Sequence, residues 1–348
     1  MSAVLTVDLD VFAANLDRVR AAVAPARLML VVKDDAYGHG LPAIVGRAVR
    51  EGIDWFGAFD VTTALAVRET AGPRARVFSW MAASEEDIAR AVGADIDLGI
   101  GDEALLEDAA AVAHRTGRTL SVHLKIDTGL HRNGVRPERW PAFVARAAAL
   151  ESAGALRVQG IWSHIAEASD ADDDAARSAF ETALAQAAEA GLRPAVRHLA
   201  ASAASFARPE FRYDMVRVGA FTYGIRPAGG PSSAELGIHP IAALRTRVHA
   251  VEGAHAVLEA GMGDGIPSLL GGRVEVATPA GPRRIREVAV RTIVDAWPGA
   301  AVGDEVVVFG ARSHGAAEAT DLAEAIGTIG EEIALRVSPR VPREYRGR

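Results

Sequence analysis

The feature that most constrains this chain is an eightfold alternation of short apolar runs with amphipathic stretches over its first two-thirds. The runs lie at 28–32 (LMLVV), 55–59, 76–80, 96–100, 119–126, 157–163, 196–200 and 215–219. Helical patterns fill the spaces at 40–51, 61–71, 84–92, 103–116, 137–152 and 173–190, and several open on cap-and-acid signals such as Ser84-Glu85-Glu86-Asp87. The runs are too uniformly apolar for strands with one solvated face, so they must be covered on both. Eight such strands, each followed by a helix, predict a closed parallel (β/α)8 TIM barrel rather than an open sheet.

A further helix, 8–23, precedes the first of these strands, so an opening strand at 3–7 is surplus to the barrel. The segment 228–233 (AGGPSS) has linker composition. Beyond it the pattern changes to short strands at 243–250, 273–278, 285–295 and 304–309, with one helix near 320–327. The predicted organisation is therefore a barrel over 8–230 and a smaller, mainly β C-terminal domain over 231–348, which the strand at 1–7 joins.

Composition removes several functions. The chain has 348 residues and a net charge of −7, with no basic run, which argues against phosphate-tracking nucleic-acid binding. With no cysteine it forms no disulfide, thiolate metal site, Fe–S cluster or cysteine nucleophile. The first residues, MSAVLTVDLDVF, carry acids where a secretory signal carries bases, and no apolar run approaches membrane-spanning length, so a cytoplasmic location is expected.

Of 38 basic residues only two, Lys33 and Lys125, are lysines. Arginine serves wherever a positive charge suffices, but it forms neither a Schiff base nor a carbamate; a lysine amine does both once it loses its proton. In a barrel of this type, polar residues at the C-terminal strand ends build the active site, and phosphates favour the loops after strands seven and eight. Lys33 ends the first strand in VVKDDAYGHG and Lys125 ends the fifth in HLKIDTGLHRNG. His164 closes the sixth, Ser202 follows the seventh, and Arg217, Gly219 and Ala220 close the eighth.

A mouth lysine, a hydroxyl after strand seven and backbone N–H groups at strand eight suit an aldehyde cofactor that carries a phosphate, which is the description of pyridoxal 5′-phosphate. A metal hydrolase is the rival, because His123, His131, His164 and His198 also lie near strand ends. No His-x-His or HExxH spacing supports it, so no metal site is assigned. Gly261-Met262-Gly263-Asp264-Gly265 lacks the strand-then-helix setting of a dinucleotide fingerprint, and 170–174 reads as a solvated helix start.

Nearly end to end, the chain resembles the alanine racemase family of fold-type III pyridoxal-phosphate enzymes. VVKDDAYGHG is similar to the family's cofactor-lysine motif, which implies Lys33 as the Schiff-base lysine and proton-transfer base, and Tyr37 as a phosphate ligand. HLKIDTGLHRNG implies Lys125 as a carbamylated lysine and Arg132 as the arginine beside the cofactor's phenolic oxygen. GIWSHIAEASD supplies the ring-packing His164 and HLAASAA the phosphate ligand Ser202. DMVRVGAFTYG supplies Arg217 to the pyridine nitrogen, and Gly219 and Ala220 to the phosphate. The resemblance implies a pyridoxal-phosphate-dependent isomerase of D-alanine biosynthesis, a small amino-acid substrate and a homodimer with shared active sites.

Four family positions differ. The tyrosine that acts as second base, before an Asp-Gly pair, is Met262 here, and a thioether accepts no proton at neutral pH. The family's Cys-Met-Asp segment reads Val288-Ala289-Val290-Arg291, the asparagine before the phosphate serine is Ala201, and the inner-gate tyrosine is Pro339. Three readings follow: a racemase whose second base is His255, Glu259, Asp264 or an activated water; a one-base enzyme on another amine or amino acid, with Arg291 binding its anion; or a non-catalytic cofactor-binding protein.

Overall fold

Strands buried on both faces need a partner on each edge as well, and closing the sheet on itself supplies both. In the computed structural model, which describes residues 3–347, eight parallel strands do this: Arg27–Val31, Trp55–Asp60, Arg76–Met81, Asp97–Ile100, Leu120–Lys125, Leu156–Trp162, Val196–His198 and Met215–Val218. Each of the first seven, except the last of them, pairs with the next, and the first pairs with the eighth in the register Arg27 to Met215. The seam between strands seven and eight is closed by single bonds, Asp214 N–H to the Arg197 carbonyl at 3.2 Å and Arg217 N–H to the Ala200 carbonyl at 3.1 Å.

The barrel interior is filled by Met29, Trp55, Phe78, Trp162, Val196 and Met215. Outside it run the helices Val61–Ala71, Glu85–Gly93, Glu103–Thr116, Trp140–Ser152 and Asp170–Glu189. Their starts are fixed by side chains that accept from otherwise unpaired first-turn N–H groups: Asp60 from Thr63, Ser84 from Asp87, Asp102 from Leu105 and Ser169 from Asp172.

The chain divides into two units. One comprises Arg20–Lys33 and Ala48–Gly219 and contains all eight barrel strands; the other comprises the segment through Val19, Asp34–Arg47, and the chain from Ala220 onward. In the second unit the strand Ala3–Asp8 lies outside the barrel sheet. It pairs antiparallel with Ala242–Glu252 and parallel with Arg343–Arg346.

The long strand Ala242–Glu252 also pairs with Glu305–Phe309 and folds back on His255–Leu258. The apolar stretch read as a single strand over 285–295 is two, Gly281–Val288 and Thr292–Asp295. A tight turn separates them, in which Ala289 N–H donates to the Arg291 carbonyl at 2.9 Å. Periodicity does not see this break, because Val288 and Val290 keep the run apolar. Within the segment read as a linker, Ser232 caps a one-turn helix, Ser233–Leu236, with Glu235 returning the bond.

Candidate active site

Lys33 stands two residues past the end of the first barrel strand at Val31, and the four residues after it, Asp34, Asp35, Ala36 and Tyr37, all have φ between 53° and 56°. Left-handed backbone at non-glycine residues costs roughly 1–2 kcal/mol each, so this turn is held by its surroundings rather than by its own preference. The Asp35 carboxylate accepts from Leu41 N–H at 2.7 Å and starts the next helix. Within its own unit, the Tyr37 ring lies 4.8 Å from that of Tyr223, and burial, then Glu331 and Asp34, push its phenol above the usual range.

The loop after strand five is organised by Asp127. One of its oxygens accepts from Gly129 N–H and His131 N–H, the other from the His131 ring at 3.0 Å. Gly134 sits at φ 126° where a Cβ would stand 2.7 Å from the Asp127 nitrogen, so glycine is required for the return of the chain. The loop presents Arg132 exposed, while Lys125 beneath it is 7% exposed. The Lys125 Nζ lies 4.4 Å from the centre of the Trp162 ring. Burial, then the charges of Arg217 and Arg132, push its ammonium down to about 8.

Arg217 is 4% exposed and is held by four acceptors: the Ser163 carbonyl at 2.8 Å, the Leu199 carbonyl at 3.0 Å, His198 Nδ1 at 3.1 Å and His164 Nδ1 at 3.2 Å. None is a carboxylate, so these four partners hold the buried cation without neutralising it. Burial and the Arg132 charge lower its pKa to about 9, still leaving it charged at neutral pH. His164 is driven the same way: burial, then Arg217, Arg132, Lys125 and Lys33, bring it to about 3, a neutral ring. Ser202 begins the short helix Ser202–Ala207, and its Oγ accepts from Gly219 N–H at 3.3 Å.

Lys33, Lys125, Arg132, His164 and Arg217 thus share one electrostatic environment at the barrel mouth, with Ser202 and Gly219 joined beside strand eight. Tyr37 and Ala220 belong to the other unit, Ala220 being the next residue in the chain. Among the four histidines of the metal reading, His123 and His198 are bonded to each other, His164 to Arg217, and His131 to Asp127. Among the described residues, no group of three or more His, Cys, Asp or Glu is arranged to hold a metal ion.

Met262 is 58% exposed, in a turn fixed by its backbone: Met262 N–H donates to the Ala289 carbonyl at 2.8 Å and Gly261 N–H to Asp264 Oδ2 at 2.9 Å. A Cβ at Gly261 would stand 2.2 Å from the Val290 carbonyl oxygen, so the turn packs directly on the segment 288–291, whose Val290 is 85% exposed. Asp264 spends its carboxylate on this turn, and His255 lies in a strand opposite Asp295. Sequence reasoning missed Asp97 and the bond between His123 and His198. A polar residue inside each of three apolar strands was the available signal.

A closed parallel barrel with a lysine and a buried arginine at its mouth, continued in one chain by a mainly antiparallel β domain, defines a class of two-domain barrel proteins. The alanine racemase N-terminal domain model matches residues 7–227 and the alanine racemase C-terminal domain model residues 244–345. The alanine racemase of Frankia casuarinae is 40% identical, over 97% of this chain and 95% of its own length. That of Thermobifida fusca is 36% identical over 98% and 97%. The structure of the alanine racemase from Streptomyces coelicolor A3(2) matches with a TM-score of 0.95 at 32% identity, covering all of this chain and 98% of its own. The chain belongs to the alanine racemase family. No described helix is long and apolar enough to cross a membrane.

Proposed function

We propose that this chain is a pyridoxal-phosphate-dependent amino-acid racemase in which Lys33 holds the cofactor and moves the Cα proton on one face. The observation that carries the reading is Arg217, a buried cation held by four neutral acceptors, on the strand paired with the one that precedes Lys33. When bound, the cofactor supplies a conjugated ring that takes up the electron pair left when an amino acid loses its Cα proton. Arg217 offers N–H groups to the ring nitrogen and has no lone pair to receive a proton there. It keeps that nitrogen unprotonated, which weakens the electron sink and disfavours transamination.

Lys33 works as a base only with its amine free. Arg132 and Lys125 face the developing negative charge. Lys125, with its lowered pKa, has a neutral amine available to add carbon dioxide. The new N–C bond then releases one proton and leaves a carbamate anion beside Arg132 and Arg217. Within the barrel unit, Ser202 and the Gly219 N–H are the phosphate ligands of this reading. A homodimer completes the site.

Met262 favours a second reading, a one-base enzyme, because no proton acceptor stands at the position of the family's second base. Loading the protein with pyridoxal phosphate and following Cα exchange in deuterium oxide separates the two. Exchange from both L-alanine and D-alanine supports the racemase. Exchange from one enantiomer only overturns it in favour of one-base chemistry, and exchange from neither overturns alanine as substrate.

A further inference from the structure

Behind Arg217 the barrel core contains a line of polar groups that the reaction does not touch. His198 Nδ1 accepts from Arg217 at 3.1 Å, His198 Nε2 lies 2.8 Å from His123 Nδ1, and His123 Nε2 faces Asp97 Oδ2 at 3.4 Å. Asp97 is in turn gripped by Arg76 through contacts of 2.7, 2.9 and 3.2 Å. Asp97, His123, His198 and Arg217 come from the fourth, fifth, seventh and eighth barrel strands, and all four are buried. They cross a core otherwise filled by aromatic rings: Phe78 stands 4.4 Å from His123, and Trp162 stacks on His198 at 5.7 Å.

Only one arrangement of protons fits this line. At one end an ionised Asp97 accepts only, so His123 turns its Nε2–H toward Asp97 and leaves Nδ1 as an acceptor. A neutral His198 then donates its Nε2–H to His123 Nδ1, which leaves its own Nδ1 without a proton. That nitrogen accepts an N–H from Arg217, whose guanidinium has donors and no acceptor, so both ends of the line demand the same order. The opposite tautomer at either ring would set two N–H groups, or two lone pairs, against each other at a buried contact, an error of about 1–3 kcal/mol. Burial lowers the pKa of both rings, which keeps them neutral. Burial alone would raise Asp97, but His123 and Arg76 outweigh it and hold its carboxyl below the usual range.

We propose that Asp97 and His123 are positioning residues, which fix His198 as the Nε2–H tautomer and so hold the Arg217 guanidinium as a donor aimed by its four acceptors. The inference rests on the proposed function for its purpose, since a ring nitrogen is what Arg217 is held to meet. The proton order itself does not depend on any bound group.

The first test is ring nitrogen NMR on uniformly labelled protein without added cofactor, between pH 6 and 8. Both His123 and His198 are expected as neutral Nε2–H tautomers; a charged ring or an Nδ1–H tautomer at either would overturn the proposal. The second compares two variants. His123→Phe keeps an aromatic ring against Phe78 but removes the acceptor, whereas His123→Asn keeps an acceptor near the Nδ1 position.

In His123→Phe the His198 resonances should shift to a mixture of tautomers and pyridoxal phosphate binding should weaken about tenfold, the worth of one buried hydrogen bond. His123→Asn should restore both. A His198 signal unchanged in His123→Phe would overturn the positioning role, as would equal loss in both variants. If His123→Phe does not fold, Asp97→Asn takes its place. It is expected to release the His123 tautomer, and an unchanged His123 signal overturns the proposal. Failure of the unmodified protein to bind pyridoxal phosphate would sink the proposed function, while the tautomer result stands or falls by itself.

Discussion

The Lys125 ammonium lies over the Trp162 ring, 4.4 Å from its centre, and the two residues are register partners on adjacent barrel strands. An aromatic face stabilises a cation without neutralising it. Lys125 is therefore held charged or neutral by a narrow margin, with burial and two arginines favouring the neutral form.

That margin predicts a pH dependence. Lys125 titrates at about 8 folded against an ordinary value of 10.5 unfolded. Below 8 both states are protonated, and the folded state bears the full cost of the buried charge. Between 8 and 10.5 only the unfolded state binds the proton, so this contribution to stability rises with pH. In buffer free of carbon dioxide, the stability of the unmodified protein relative to Lys125→Met should improve by roughly 3 kcal/mol across that window. Chemical denaturation at pH 7 and 10.5 measures it, and a flat difference would contradict the placement of Lys125.

A neutral amine at that position should also capture carbon dioxide. With carbon-13 bicarbonate near pH 8, a carbamate carbonyl resonance is expected, and Lys125→Arg should remove it. Persistence of the signal in that variant would place the carbamate elsewhere.

If the methionine at 262 is what separates this chain from two-base chemistry, Met262→Tyr should raise exchange from the slower enantiomer by about a hundredfold, the lower end of what a positioned acid or base contributes. The exposed side chain and backbone-fixed turn make the change structurally mild. No gain in a correctly assembled variant would place the divergence in the neighbouring 288–291 segment.

Stability of the β-rich unit depends on Arg226, which is buried and bound to Asp321 and Glu324 at 2.7–2.8 Å. Glu318, also buried, lies 3.8 Å from it. Arg226→Ala should cost about 1–3 kcal/mol, because the buried Glu318 and part-buried Asp321 keep only Arg312 as a cation, while the exposed Glu324 is screened by solvent. Glu324 is held at about 2, chiefly by its bond from Arg226. Its stabilisation is present above its ordinary value of 4.5 and lost as pH falls through the folded value. The gap between variant and unmodified protein should accordingly narrow in acid, as thermal denaturation at pH 7 and pH 3 would reveal.

The barrel was legible because burial on both faces leaves a continuous apolar signature, and each of its eight strands begins or ends within a residue or two of its expected place. In the β-rich unit the signal fails where a turn is made of apolar residues, as at 289–291, or where a strand is short, as at His255–Leu258. For the mouth, the scarcity of lysine singled out Lys33 and Lys125. The line from Asp97 to Arg217 was not legible, since its members lie far apart in sequence and only barrel closure brings them together.

Because the chain has only two lysines, the residue that holds the cofactor is open to direct assignment. The protein is mixed with pyridoxal phosphate, reduced with borohydride, digested and mapped by mass spectrometry. With Lys33 as the cofactor lysine, a pyridoxyl adduct is expected on Lys33, and the visible absorbance band should be lost in Lys33→Ala. An adduct on Lys125, or none on either lysine, would contradict it.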